Sequence, residues 1–432
     1  MKFTKSKVPK KVYPVSLGCP KNKCDFEKLL YILKKQGYEF TLDPGEANLF
    51  WVNTCAFIRP SVEEALEHII ELGAQKKDTQ KLIVSGCLTA RYGSEKLKEL
   101  LPEVDEFYDI EPYKYFASQE PPDRVLTESP FYAYLKISEG CNHRCSYCTI
   151  PKIRGPLKSK PEELLLVEAK NLLNRGVKEL ILVGQDLASY GRDLSLKNGL
   201  LTLVERLTAL PYDFRLRLLY LHPTTLEKAF IEEVLSQPKV VPYFDIPIQH
   251  AHPEILRKMK RGYTPEKILS LIEHIRTVCP QASIRTSIIV GFPGEGEKEF
   301  VYLLDFLKRA LFDYLGVFIY YPEEGTMAEN YSPQVPYREK LKRKRELLKV
   351  QREITKSRLR ERIGHEEEVL ILGEDPKGRP FGIAKIQAPD IDGVTYLLKI
   401  KGTSILVGDK VKVKIIRSGT YDLWAIPLDL RG

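Results

Sequence analysis

Three of the eight cysteines stand together in the string EGCNHRCSYCTIP. Cys141, Cys145 and Cys148 have C-x3-C-x2-C spacing and directly follow an apolar stretch, YAYLKIS, that reads as a strand. Thiols crowded onto so short a loop point to metal chemistry, because buried structural cysteines do not cluster in this way and the thiolate is a soft ligand. Two kinds of centre suit them. Structural zinc needs a fourth ligand to close a tetrahedron, and His143 inside the loop reads as an exposed loop histidine. Iron–sulfur clusters are also held by thiolates, and three ligands to four irons leave one iron open.

Three further cysteines share a different pattern. Cys19 follows VYPVSLG, Cys55 follows LFWVNT and Cys87 follows LIVSG. Each therefore sits just past the carboxyl end of a predicted strand. In an open parallel sheet those ends share one edge, where ligands collect. The three are 36 and 32 residues apart in the chain yet are expected to converge. Cys24, five residues after Cys19, falls at the start of the next helix and reads as a bystander. Cys279, in RTVCP at a helix end, reads as a buried structural thiol.

The elements that must position these residues fall into three regions. The first, 9–125, alternates strand and helix, with helices at DFEKLLYILKKQG and PSVEEALEHIIELG that are expected to end at Gly37 and Gly73. A polar, proline-rich break, EPYKYFASQEPPDRVLTESP, follows. The second region, 127–332, contains six strand candidates with helices between them, enough for a partial (β/α) barrel and too few for a complete one. A basic helical connector, 333–363, leads to a third region, 364–432, of short strands separated by Gly and Asp turns, a small all-β barrel of OB-like size. The fold class expected is thus α/β, with an open parallel sheet, a partial barrel and a terminal β-barrel.

Charge and composition narrow the class. The chain of 432 residues carries a net charge of +9. Residues 1–23 hold seven lysines and no acid, and residues 333–363 hold twelve Lys or Arg against four Glu. The second run reads either as a solvated helix face or as a surface that meets RNA or a ribosome. The terminal region has ten basic and ten acidic residues, more neutral than a pure RNA-binding module. No apolar run approaches the roughly 18 residues a membrane span needs, and no signal-peptide pattern follows the basic start. A reducing, cytoplasmic setting is expected, in which cysteines serve metals or catalysis more than disulfides.

The Cys141–Cys148 loop after the first strand of a partial barrel resembles the radical S-adenosylmethionine (SAM) superfamily. That resemblance implies a four-iron cluster whose open iron chelates SAM and cleaves it by one electron to a 5′-deoxyadenosyl radical. Tyr147 matches the aromatic residue that family places beside adenine. Together with Cys19, Cys55 and Cys87 as ligands of a second, auxiliary four-iron cluster, the chain resembles the methylthiotransferases, and its end resembles their TRAM domain. LGCPKN stands where tRNA-modifying members have a GCQMN-like string. IPKIRG, YLHP, FDIPIQH, RTSIIVGFPGE, YPEEGTMA, APDIDG and YDLW resemble the RimO type, which acts on an aspartate of the small-subunit ribosomal protein S-twelve. The alternative is a tRNA adenosine methylthiotransferase. The resemblance further implies an electron donor of flavodoxin or ferredoxin type and a sulfur source. Gln185, Arg285 and Gly291 are the expected SAM contacts beside Tyr147. Asp186, Gln249, His250 and Gly294 lie at predicted strand ends or turns near the same mouth.

Overall fold

A computed structural model describes residues 10–121, 123–398 and 405–428. The basic start at 1–9 and the end of the predicted strand at 395–400 lie outside the described residues.

The first sheet consists of β1 (Lys11–Ser16), β2 (Glu39–Phe40), β3 (Leu49–Thr54), β4 (Lys81–Gly86) and β5 (Glu106–Tyr108), in the order β2-β1-β3-β4-β5. All its pairings are parallel. β3 is buried along its whole length, as a central parallel strand must be. Its residues alternate between two cores: Phe50 and Val52 face one, Leu49 and Trp51 the other.

Two helix boundaries differ from expectation. The helix after β1 is Pro20–Lys35 and begins immediately after Cys19, with proline pre-set for the first turn. The helix Arg59–Gln75 runs through Gly73. A Cβ at Gly73 would lie 2.3 Å from Cγ of Glu103, so the glycine makes room for a neighbour and does not stop the helix.

The second sheet comprises β6 (Tyr132–Lys136), β9 (Glu179–Val183), β10 (Arg215–Leu218), β11 (Val240–Asp245), β12 (Ser283–Val290) and β13 (Tyr314–Ile319). A short antiparallel ladder of β7 (Ser138–Glu139) and β8 (Lys158–Ser159) sits at its rim. Its order is β13-β12-β11-β10-β9-β6, parallel throughout, a six-stranded partial barrel. The largest core lies between these strands and their outer helices.

The terminal barrel closes as β14 (Glu366–Glu374), β15 (Pro380–Ala384), β16 (Thr395–Leu397), β18 (Leu423–Pro427) and β17 (Lys410–Ser418). It packs on the second sheet: Tyr132, Tyr134, Ile181 and Tyr243 share one core with Val369, Ile371 and Ala425. A loop of the terminal barrel reaches the same strands. Asp390 accepts hydrogen bonds from the hydroxyls of Tyr132 (2.7 Å) and Tyr134 (2.9 Å), and Asp392 accepts one from Tyr243 (2.6 Å). The basic helix Tyr337–Arg360 is not free on all sides. Arg343 bonds Glu295 at 2.8 Å and Gln351 bonds the Phe312 carbonyl at 2.7 Å, while Arg345, Lys349, Arg352 and Lys356 point to solvent.

Candidate functional site: two sets of three thiols

The strand order explains how distant cysteines meet. β1, β3 and β4 are consecutive neighbours, and adjacent strands lie about 4.8 Å apart. Cys55 directly follows β3 and Cys87 directly follows β4, with Thr54 and Gly86 in register. Gly18 brings the third close: a Cβ there would be 3.1 Å from Cβ of Cys55. The charge of Cys19 acts on both Cys55 and Cys87, so the sequence expectation of a converging set describes the observed placement. Cys24 lies elsewhere, 1% exposed, with its Sγ 3.4 Å from the Tyr134 carbonyl. Cys279 is half-buried at the end of its helix, packed against the main core.

The three thiols are not electrostatically alike. Burial pushes Cys19 up, but Lys21, Arg154 and the backbone N–H groups of Asn22 and Lys21 outweigh it and hold the thiol below its ordinary value. Burial pushes Cys87 up to about 11, against the pull of Arg154. Such a set gives up its protons when a cation takes the charge, the behaviour of a thiolate metal site. All eight cysteines are free thiols.

The second set lies on the loop after β7. Gly140 allows its entry: φ is +70°, and a Cβ would fall 2.0 Å from the Pro156 carbonyl oxygen. Cys141 and Cys148 are pushed up to about 11 and about 12, chiefly by burial and also by the charge of Cys145. Arg261 donates to Sγ of Cys145 at 3.2 Å and is itself fixed by the Tyr263 hydroxyl at 2.8 Å and the Pro247 carbonyl at 2.7 Å. A half-buried loop with three sulfur donors and a guanidinium on one of them fits a four-iron cluster with its negative charge.

His143 corrects the reading of an exposed loop histidine. Its Nε2 is 2.8 Å from Oδ2 of Asp186, and its ring stacks on His222 with centroids 3.9 Å apart. Both partners come from the ends of other strands, so the histidine pins the loop to the barrel rim.

The remaining candidates divide between places. Tyr147 packs edge-on against Phe292, beside Gly291, in a small cluster with Met259 and Tyr320. Gly291 has φ +74°, and its virtual Cβ meets Cγ of Lys340 at 2.3 Å; at Gly294 the crowding atom is Nζ of Lys258 at 2.2 Å. Gly291 is therefore required by its turn and by the stem of Lys340, and Gly294 by its φ of +83°, since the tip of Lys258 can swing aside. The Gly291 N–H donates to Glu295 at 2.9 Å, and His250 lies 3.3 Å from the same carboxylate. The main chain of Gln249 bridges to Ile288 of β12. Gln185 donates to Glu139 at 2.9 Å. Arg285 lies on β12, paired with Asp245 at 3.0 Å and 3.7 Å from Asp392.

Two residues that sequence reasoning missed stand beside the thiol sets. Arg154 ends the short helix Ile150–Arg154 that starts two residues after Cys148. It donates to Sγ of Cys87 at 3.3 Å, Oδ1 of Asn22 at 3.2 Å and Oε2 of Glu139 at 2.8 Å. Asp25, Glu111 and Glu139 cluster here, but Lys136, Arg154 and Lys114 pair with them, so the group is an ion network. Lys21 is the other: its Nζ lies 3.8 Å above the centre of the Tyr220 ring. Tyr220 follows β10 with φ +62°.

Comparison with known proteins agrees with this architecture. The Radical SAM superfamily matches residues 135–307, Uncharacterized protein family UPF0004 matches 11–109, and the TRAM domain matches 363–427. The ribosomal protein uS12 methylthiotransferase RimO of Oleidesulfovibrio alaskensis is 44% identical over 96% of this chain and 99% of its own. The RimO of Trichlorobacter lovleyi is 42% identical over 96% of this chain and 97% of its own. A solved radical SAM methyltransferase, TsrM from Kitasatospora setae, is similar with a TM-score of 0.49 and 16% identity, covering 71% of this chain and 72% of that one. At more than two-fifths identity across almost the whole length, the chain belongs to the RimO family of SAM-dependent methylthiotransferases.

Proposed function

We propose that this enzyme replaces a β-carbon hydrogen of an aspartate in ribosomal protein uS12 with a methylthio group. The observation that carries the reading is the pairing of two three-thiol sets, linked through Arg154 by one five-residue helix. In this reading Cys141, Cys145 and Cys148 hold a four-iron cluster beside SAM, and Cys19, Cys55 and Cys87 hold a second. When bound, these groups supply hydrogen abstraction, a sulfur site and the methyl group. Such chemistry suits an aspartate, whose β-C–H bonds lie beside an ionised carboxylate and are poorly removed by a base.

The chain's own residues set the stage. Arg261 and Arg154 each place N–H groups on a sulfur donor, which stabilises negative charge and orients the ligands. His143 ties the Cys141 loop to Asp186. Tyr147, Gln185, Arg285 and Gly291 are the SAM contacts of this reading. The terminal barrel covers the strands of the second sheet, and Tyr220 packs at the margin of that contact. The reading includes a flavodoxin or ferredoxin type electron donor, a sulfur source and a cytoplasmic setting; among the described residues no helix is long and apolar enough to cross a membrane.

The test is product analysis. Reconstituted enzyme with SAM and reductant should raise the mass of uS12 by one methylthio group less the hydrogen it replaces, and leave tRNA nucleosides unchanged. Modification of tRNA alone would overturn the reading.

A further inference from the structure

Lys21 is only 8% exposed, yet no carboxylate among the described residues lies within ion-pair distance of its ammonium. A lysine so covered is normally paired, because an ammonium held away from bulk water loses hydration, and the Lys21 Nζ, which is not fully enclosed, keeps an open side toward a ligand. Among the described residues the other four buried lysines obey this rule. Lys28 meets Glu168 at 2.8 Å, Lys136 meets Glu139 at 2.8 Å, Lys160 meets Glu120 at 2.5 Å and Lys340 donates to the Tyr320 carbonyl at 2.8 Å. Among the described residues Lys21 has only the face of Tyr220, 3.8 Å from its centre. A cation–π contact restrains an ammonium without satisfying its N–H donors.

Its place in the fold says which ligand completes it. Lys21 lies two residues after Cys19, in the first turn of the helix Pro20–Lys35, and its charge acts on the Cys19 thiol. Tyr220 comes from the other sheet, just past β10, with its N–H on Asp245 at 3.1 Å. The lysine therefore stands where the edge of the first sheet meets the strand ends of the second, beside the Cys19 set. A target that reacts beside that set comes within reach of this ammonium.

We propose that Lys21 binds the side-chain carboxylate of the substrate aspartate and so presents the β-carbon to the site. The proposal deepens the function proposed above and rests on its aspartyl substrate. A carboxylate supplies what Lys21 lacks, a charged acceptor within hydrogen-bond reach. A neutral amide of the same shape does not, so Lys21 would separate aspartate from asparagine.

The experiment uses enzyme loaded with iron, sulfide and SAM but not reduced. It is titrated with fluorescently labelled uS12 carrying either Asp or Asn at the modified position. The parent is expected to bind the Asp form roughly 30-fold more tightly. Lys21→Met should bind both forms alike with its iron content unchanged, and Lys21→Arg should restore part of the preference. A preference for Asp that survives in Lys21→Met overturns the role of Lys21 and leaves the aspartyl reading standing. Loss of iron from Lys21→Met assigns the residue to the thiol set and also overturns it. A parent that binds neither form of uS12 overturns the reading beneath it.

Discussion

Arg154 donates to the thiol of Cys87 at 3.3 Å although 67 residues separate them in the chain. The same guanidinium serves Glu139 and Asn22, and its side chain is 1% exposed. Truncation would leave Glu139 and Asp25 sharing Lys136 alone. Arg154→Met should lower stability by about 3–5 kcal/mol, the cost of breaking a buried charge pair. It should also lower the iron bound per chain. Denaturant unfolding and iron analysis check both, and Arg154→Lys should fall between the two proteins. An unchanged midpoint with full iron would contradict the assigned network.

Cys19 and Cys24 are near in sequence but differ in surroundings. Cys24→Ala removes one buried sulfur and should cost about 1 kcal/mol while keeping all iron and sulfide. Cys19→Ala should lose the iron of one set. Metal and sulfide analysis of anaerobically reconstituted variants separates the two, and the opposite pattern would show that the roles are exchanged.

Gly140 is hemmed in by backbone, which cannot swing aside as a side chain can. Gly140→Ala should displace the Cys141 loop and reduce 5′-deoxyadenosine production on reduction by roughly 100-fold. The strain itself should cost about 1–3 kcal/mol. Normal 5′-deoxyadenosine output from this variant would mean the loop tolerates the shift.

Asp392 carries a pH signature. Its side chain is 1% exposed, and burial pushes its carboxyl up to about 6, against the pull of Arg285 and the Tyr243 hydroxyl. An unfolded aspartate titrates near 3.9. Between these values the folded protein holds a proton that the unfolded chain has lost, so this group's contribution to stability falls as pH rises. About two pH units correspond to about 3 kcal/mol. Relative to Asp392→Asn, the parent should therefore gain at most about 3 kcal/mol as pH is lowered from about 7 to about 4. Paired denaturant titrations across that range measure the difference; a flat difference would show that Asp392 keeps one charge state throughout.

Much of the architecture is legible from local pattern. Alternating apolar strands and amphipathic helices announce both parallel sheets, and five short strands announce the terminal barrel. The placement of Cys19, Cys55 and Cys87 followed from period and strand order alone, because every parallel strand puts its carboxyl end on one edge. What stayed hidden depends on contacts between elements. Arg154 is one more basic residue in IPKIRG until the folded chain sets it on Cys87. His143 looks like a loop histidine because Asp186 and His222 arrive from other strands. Gly73 looks like a helix stop because Glu103, the neighbour it makes room for, lies 30 residues on. The seat of the terminal barrel on Tyr132 is made across 258 residues, and no local periodicity carries that information.

The short helix Ile150–Arg154 has a mechanical consequence. It starts beside Cys148 and ends on Cys87, and five residues of α-helix span about 7.5 Å. The two thiol sets are therefore joined by one turn of helix and one arginine side chain instead of a long loop. In the proposed function a reacting group between them would meet both at a fixed stride, and lengthening the helix by one turn would lift Arg154 off Cys87.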